Sequence, residues 1–335
     1  MTNQEPMLTD DGQSRGGSQF THLLSFTLLM TGPLRVSSPW SQLAIFLGLF
    51  GAAFLLSSIL MLLVFVAKGF SISDMQAMDL TKPGMVGTMK WLQGISSIFL
   101  FLLPPLFYAM ITFTAKPFYF LGLKRAEKSG MYGLAVLCII LAFPFVIWLG
   151  QVNQHIPLPK WMTSMEKDTA KQLEALLKVN HPIDILVNVL IIAVLPAVCE
   201  ELCFRGGLQR IMIQCFKNPW AGIIITAILF SALHLQFQGF LPRMFLGIVL
   251  GALYWYSGSL WPSILAHFVN NAVQVIAVSV EPQYVNANPT MPVYAGIISG
   301  IIVFAIMWIY AKLSTITYSK VYDTDRLNMS NQFLS

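Results

Sequence analysis

Residues Ile183–Arg205 read IDILVNVLIIAVLPAVCEELCFR, an apolar run (Ile183–Cys199) closed by two adjacent acids and, four residues after the second, an arginine. A helix needs about 20 mostly apolar residues to cross the hydrocarbon core of a bilayer. Ionisable groups in such a helix cost several kcal/mol, so they mark function by default. On a helix Glu201 and Arg205 share a face and pair, whereas Glu200 points about 100° away. The two carboxylates therefore have separate tasks. Arg205 holds Glu201 ionised, and Glu200 is left to face a cavity. The alternative, one ion-pair network at a helix end, gives no reason for two neighbouring acids.

The rest of the chain reads the same way around this stretch. Of its 335 residues 56% are hydrophobic and 10% charged, with a mean hydropathy of +0.68. A soluble domain carries about 25% charged residues, so this one cannot cover a water-facing surface. Eight apolar segments stand out: Ser41–Ala67, Trp91–Phe113, Met131–Gly150, Ile183–Phe204, Pro219–Leu235, Leu241–Tyr256, Trp261–Val280 and Pro292–Leu313. The expected fold is all-α, a bundle of about eight transmembrane helices with an intramembrane catalytic cavity. It divides into a polar tail (1–40), N-terminal helices with a connector (41–182), a catalytic core (183–280), and a last helix with its tail (281–335). Met1–Gly17 reads as disordered and Phe20–Leu34 as lying on the membrane surface; no cleaved signal peptide is apparent.

The net charge of +5 comes from basic residues between apolar segments, which suits cytoplasmic loops of a multi-pass protein and not a nucleic-acid partner. Lys116, Lys124, Arg125 and Lys128 fill Thr114–Gly130, and Arg205, Arg210 and Lys217 attend Gly206–Asn218. With Lys312, Lys320 and Arg326 in the tail, they place both termini in the cytoplasm; the plasma (inner) membrane of a prokaryote is the expected location. Cys138, Cys199, Cys203 and Cys215 all lie in or beside apolar segments and imply no disulfide framework. Cys199 and Cys203, one turn apart, read as small buried residues ahead of a metal pair.

Between the third and fourth segments, Thr163–Lys178 carries an apolar strip (Leu173, Leu176, Leu177), and Thr163 with Glu166 resembles a capping box. Two readings stand: an amphipathic connector on the membrane surface, or a lid gating access to a site.

The other intramembrane ionisable groups fall in the same half of the chain. His234 ends Phe230-Ser-Ala-Leu-His234, and His267 and Asn271 are one turn apart on the seventh segment. Singly, each is as well explained by packing or by hydrogen bonding between helices. Together they supply every role of a hydrolytic site. A water between Glu200 and His234 loses a proton and attacks a carbonyl, and His267 and Asn271 donate to the oxyanion.

The three motifs, EExxxR (Glu200, Glu201, Arg205), FxxxH (Phe230, His234) and HxxxN (His267, Asn271), in this order and each on its own segment, resemble the CPBP intramembrane proteases. This group is also called the Abi or CAAX-protease family and includes the type II CAAX prenyl endopeptidases. The resemblance covers roughly Ile183–Val280. It implies a peptidase acting on a membrane-associated protein or peptide, lipid-modified in some members. It also implies that Glu200 and His234 activate water and that His267 and Asn271 form the oxyanion hole. Glu201 and Arg205 would then support the site, and Phe230 would shape its wall. Water-only chemistry without a cofactor is the expectation; the alternative is Zn²⁺ on Glu200, His234 and His267, although no HExxH occurs. Two other classes are weighed against it. A proton-coupled transporter would show an inverted repeat or broken helices in both halves, and none is seen. A non-catalytic scaffold or immunity factor would not need the full set of residues.

Overall fold

The computed structural model describes residues 37–71, 73–74, 80, 82–112, 117–281, 283 and 289–323. The polar start, the expected surface segment Phe20–Leu34 and Arg326 of the tail lie outside them. The described chain is helical: α1 (Pro39–Ala67), α2 (Met85–Thr112), α3 (Gly130–Gln154), α4 (Lys160–Leu177), α5 (Pro182–Phe216), α6 (Pro219–Ala232), α7 (Phe240–Ser257), α8 (Leu260–Val280) and α9 (Val293–Leu313). The ends follow local chemistry. Asn218 accepts the N–H groups of Trp220 and Ala221 ahead of Pro219 at the start of α6. Gly258, with φ of 63°, stops α7, and Ser259 caps α8 one residue later.

Among the described residues seven helices are long and apolar enough to cross a membrane: all of these except α4 and α6. The protein is therefore a multi-pass membrane protein. Its apolar side chains point outward along α1 and α9, as at Leu55, Leu63, Ile301 and Phe304. That suits a lipid solvent and no other.

Two expectations about spans are corrected. The fifth, Pro219–Leu235, ends as a helix at Ala232 and is 14 residues long. The chain turns there because Leu235 adopts φ of 54° and the Ser231 hydroxyl donates to the Phe240 carbonyl (2.7 Å). The fourth runs on to Phe216, so Gly206–Asn218 is not a basic loop. Gly206 and Gly207 are packing positions: a Cβ would fall 2.9 Å from the Leu121 carbonyl oxygen at one and 2.6 Å from the Phe46 ring at the other. Arg205 is buried, and Arg210 donates to the Phe120 carbonyl while lying over that ring. Neither is displayed as a loop charge, which removes part of the basis for the topology.

The amphipathic segment is corrected in detail. Its helix begins at Lys160, and the capping box does not form: the Thr163 hydroxyl donates to the Pro159 carbonyl, and Glu166 accepts from a distant backbone N–H. Pro182 opens α5, with Asp184 accepting the N–H groups of Asn180 and His181.

Two apolar clusters build the bundle. One joins α3, α7, α8 and α9 around Met131, Leu250, Ala266 and Tyr310. The other joins α1, α2, α5 and α6 around Phe46, Tyr108, Phe204 and Phe230. Half of the apolar window of α7 is buried, against 17% for α1, so α7 is a central helix. Gly247 and Gly251, four residues apart, let it approach its neighbours: a Cβ on Gly247 would stand 3.1 Å from the Ala227 Cα of α6.

Candidate active site

The site grows from a defect in α5. Leu195–Glu201 is α-helical, and from Leu202 to Gln209 the helix widens to π geometry. Such bulges add a residue to one turn and recur at functional sites. Every residue of the widened stretch is buried, and the stretch follows directly on the two acids.

Glu201 has no exposed surface. Its Oε1 accepts from Arg205 Nη1 (2.7 Å) and from His267 Nδ1 (2.8 Å), and its Oε2 accepts from the Ser263 hydroxyl in a short hydrogen bond. Arg205 also donates to the Gly247 carbonyl (3.2 Å) and lies over the Phe230 ring, 4.6 Å from its centroid. A charge this deep persists only when paired and hydrogen-bonded. Glu201 meets both conditions, through side chains from α5 and α8.

Glu200 points elsewhere. It lines a cavity of about 610 Å³, which is also lined by Phe230, His234, His267, Asn270 and Asn271. Its Oε2 is 3.9 Å from His267 Nε2, too far for a direct hydrogen bond.

The two histidines are oriented by fixed acceptors. His234 Nδ1 donates to the Phe230 carbonyl (2.7 Å), leaving its Nε2 with a free lone pair in the neutral ring. His267 Nδ1 faces a carboxylate, which only accepts, so that nitrogen carries a proton. Asn271 accepts from Asn270 Nδ2 (3.1 Å), which turns its own oxygen aside and leaves its amide hydrogens uncommitted. His234 sits in the turn after α6, next to Leu235 with its left-handed backbone. A non-glycine residue held there is a strained position, of the kind found at functional sites.

The structure thus places Glu200, His234, His267 and Asn271 on one cavity, with Phe230 in its wall and Glu201 and Arg205 behind it. Three further residues escape the sequence reading. Ser263 is the third partner of Glu201, one turn before His267. Gln236 and Arg243 line the cavity at the turn and on α7. Arg243 carries a legible signal, since an arginine inside an apolar segment is itself a candidate. Ser263 carries none, because serines are ordinary in membrane helices.

Among the described residues no group of three His, Cys, Asp or Glu side chains is arranged to hold a metal ion. His234 and His267 each commit Nδ1 to a fixed acceptor, the Phe230 carbonyl and the Glu201 carboxylate, and keep Nε2 for other partners, an arrangement that serves water activation and metal ligation alike.

Residues 182–273, which contain all of these acids, histidines and asparagines, match the family model described as type II CAAX prenyl endopeptidase Rce1-like. This segment is similar to the CAAX proteases, and the likeness supports an intramembrane protease of that kind. No curated protein and no solved structure matches the chain significantly. That family is one of membrane-embedded proteases, and the matched segment comprises α5, α6, α7 and most of α8. Much of the cavity wall comes from this segment, and Gln93 of α2, Ile139 and Val146 of α3, the end of α8, and Leu173, Leu176 and Leu177 of α4 complete it. Helix α4 is fastened to the segment at both ends. Trp161 packs edge-on against Phe237 (5.7 Å between centroids), Glu166 accepts the Gln238 N–H (2.9 Å), and Leu177 is buried against Ala193, Ala272 and Val275.

Proposed function

We propose that this protein hydrolyses a peptide bond of a membrane-associated protein or peptide in the cavity under α4, with Glu200 as the general base. The observation that carries this reading is the division between the two adjacent acids. Glu201 is fully engaged by Arg205, His267 and Ser263, whereas Glu200 faces the cavity with no side-chain hydrogen bond among the described residues. Such a carboxylate is free to work on a water.

The reaction uses the two sides of the cavity. Water binds between Glu200 and His234 Nε2. As its oxygen bonds to the substrate carbonyl carbon, one of its protons passes to Glu200. The carbonyl oxygen becomes an oxyanion, which accepts hydrogen bonds from Asn271 Nδ2 and His267 Nε2. For His267 to donate from Nε2 while Nδ1–H stays on Glu201, its ring carries a second proton, a charge lying between the two carboxylates. The C–N bond then breaks as Glu200 returns its proton to the leaving nitrogen. Each oxyanion donor of this type is worth roughly 2.7–4 kcal/mol in the transition state. Glu201, Arg205 and Ser263 are positioning residues that act through His267. The family match supports a lipid-modified peptide among the substrates to be tried.

The test is cleavage of a quenched peptide library, prenylated members included, by the full chain in liposomes. Glu200→Ala and His234→Ala should each abolish cleavage, and the wild type should cut with or without a chelator. Cleavage lost to the chelator and restored by Zn²⁺ would overturn the water-only mechanism. A wild type that cuts nothing would favour a scaffold.

A further inference from the structure

The cavity holds a second charged group, which the hydrolytic mechanism leaves unused. Arg243 sits on α7, a helix that is otherwise apolar, and its side chain lines the same cavity as Glu200. Arg205 and Arg243 are treated differently. Arg205 is neutralised by Glu201, but Arg243 belongs to none of the ion pairs among the described residues. Its Nη1 donates to the Gln236 side-chain oxygen (2.8 Å) and its Nη2 makes a short hydrogen bond to the Gln236 carbonyl, both neutral acceptors, while its buried Nε has no partner. Glu166 acts on it electrostatically from beyond ion-pair range, with its Oε1 taken by the Gln238 N–H.

The guanidinium also has a seat. At Gly239 a Cβ would stand 2.6 Å from Arg243 Nη1 and 3.1 Å from its Cζ, so the bare glycine is what lets the head group lie there. Gln236 and Gly239 together hold a planar cation at the cavity wall without cancelling its charge. The guanidinium fork matches a carboxylate in two parallel hydrogen bonds.

We propose that Arg243 anchors a carboxylate of the substrate and so determines which peptides this site accepts; the proposal rests on the hydrolytic reading above. The placement is suitable. Leu250, whose carbonyl accepts from Ser263, marks the level of the Glu201 network on the same helix. Seven residues of helix separate it from Arg243, a rise of about 10 Å, which a few residues of extended peptide bridge. The carboxylate belongs either to the peptide's C-terminus or to an acidic side chain close to the bond that is cut.

Three quenched peptides of one sequence distinguish these sources: the free acid, its C-terminal amide, and the amide with Asp as its last residue. They are given to the full chain in detergent micelles as wild type, Arg243→Gln and Arg243→Lys. The wild type should prefer the acid over the amide by on the order of tenfold in kcat/KM, mostly through KM, as befits a charge-assisted hydrogen bond. Arg243→Gln should bring that ratio close to one, and Arg243→Lys should fall between. Recovery with the Asp peptide assigns the anchor to any nearby carboxylate, and no recovery assigns it to the terminus. Equal cleavage of acid and amide by the wild type overturns the proposal. So does an Arg243→Gln variant that loses both alike, since that is the behaviour of a brace for the turn. Fluorescence anisotropy of the same acid and amide on Glu200→Gln reads the anchor without catalysis. A preference there that Arg243→Gln removes upholds it even if no peptide is cut, and equal binding overturns it. Absent cleavage counts against the hydrolytic reading alone.

Discussion

Glu201→Gln removes the charge that Arg205 depends on, in a place where neither side chain reaches solvent. An arginine left unpaired at that depth destabilises a fold by about 3–5 kcal/mol. Ser263→Ala removes one hydrogen bond from the same carboxylate and should cost less, about 1.5–3 kcal/mol. Glu200 stands outside this network, so Glu200→Gln should melt close to wild type while losing hydrolysis. Thermal melts of the three variants in detergent, followed by tryptophan fluorescence, give the order directly. If Glu200→Gln proved the least stable of the three, the division of labour between the two acids would be wrong.

At the scale of elements, the crossing of α6 and α7 and the attachment of α4 are the parts to probe. Gly247→Val adds bulk where even a Cβ meets the Ala227 backbone at 3.1 Å. Overpacking of this kind costs about 1–3 kcal/mol. Gly133 on α3 meets nothing within 4 Å, so Gly133→Ala serves as the contrast and should be neutral or slightly stabilising. For α4, Trp161→Ala removes the ring packed on Phe237. Amide exchange should then quicken through Lys160–Leu177 and stay unchanged in α7. Uniform exchange across both helices would mean that α4 does not open as a unit.

Across the whole molecule, the outward-facing Leu, Ile and Phe side chains of α1 and α9 leave no water-compatible surface. The protein should stay in the membrane fraction through an alkaline wash and leave it only with detergent. The membrane class was legible from composition alone, because a chain this poor in charge has no other stable solvent. Glu200, His234, His267 and Asn271 were legible because intramembrane Glu, His and Asn are costly enough to stand out, whereas Gln236 and Arg243 of the same cavity were missed. The course of α5 was not: Gly206 and Gly207 look like a loop in sequence and act as contact points in space, and Arg210 looks like a surface charge while being held by Phe120. Nor was the start of α4, where Glu166 reaches across to Gln238 instead of back to its own helix. Both depend on neighbours more than 70 residues away, which no local pattern records.

The brevity of α6 has a consequence for the lipid. Fourteen residues rise about 21 Å, against a hydrocarbon layer about 30 Å deep. Acyl chains beside that helix must shorten or bend to meet its ends, a hydrophobic mismatch that dimples the bilayer next to His234. A peptide arriving there finds headgroups and water drawn closer to the bond to be cut. Turnover is then a property of lipid as well as of protein, rising in vesicles of short-tailed phospholipids and falling in long-tailed ones.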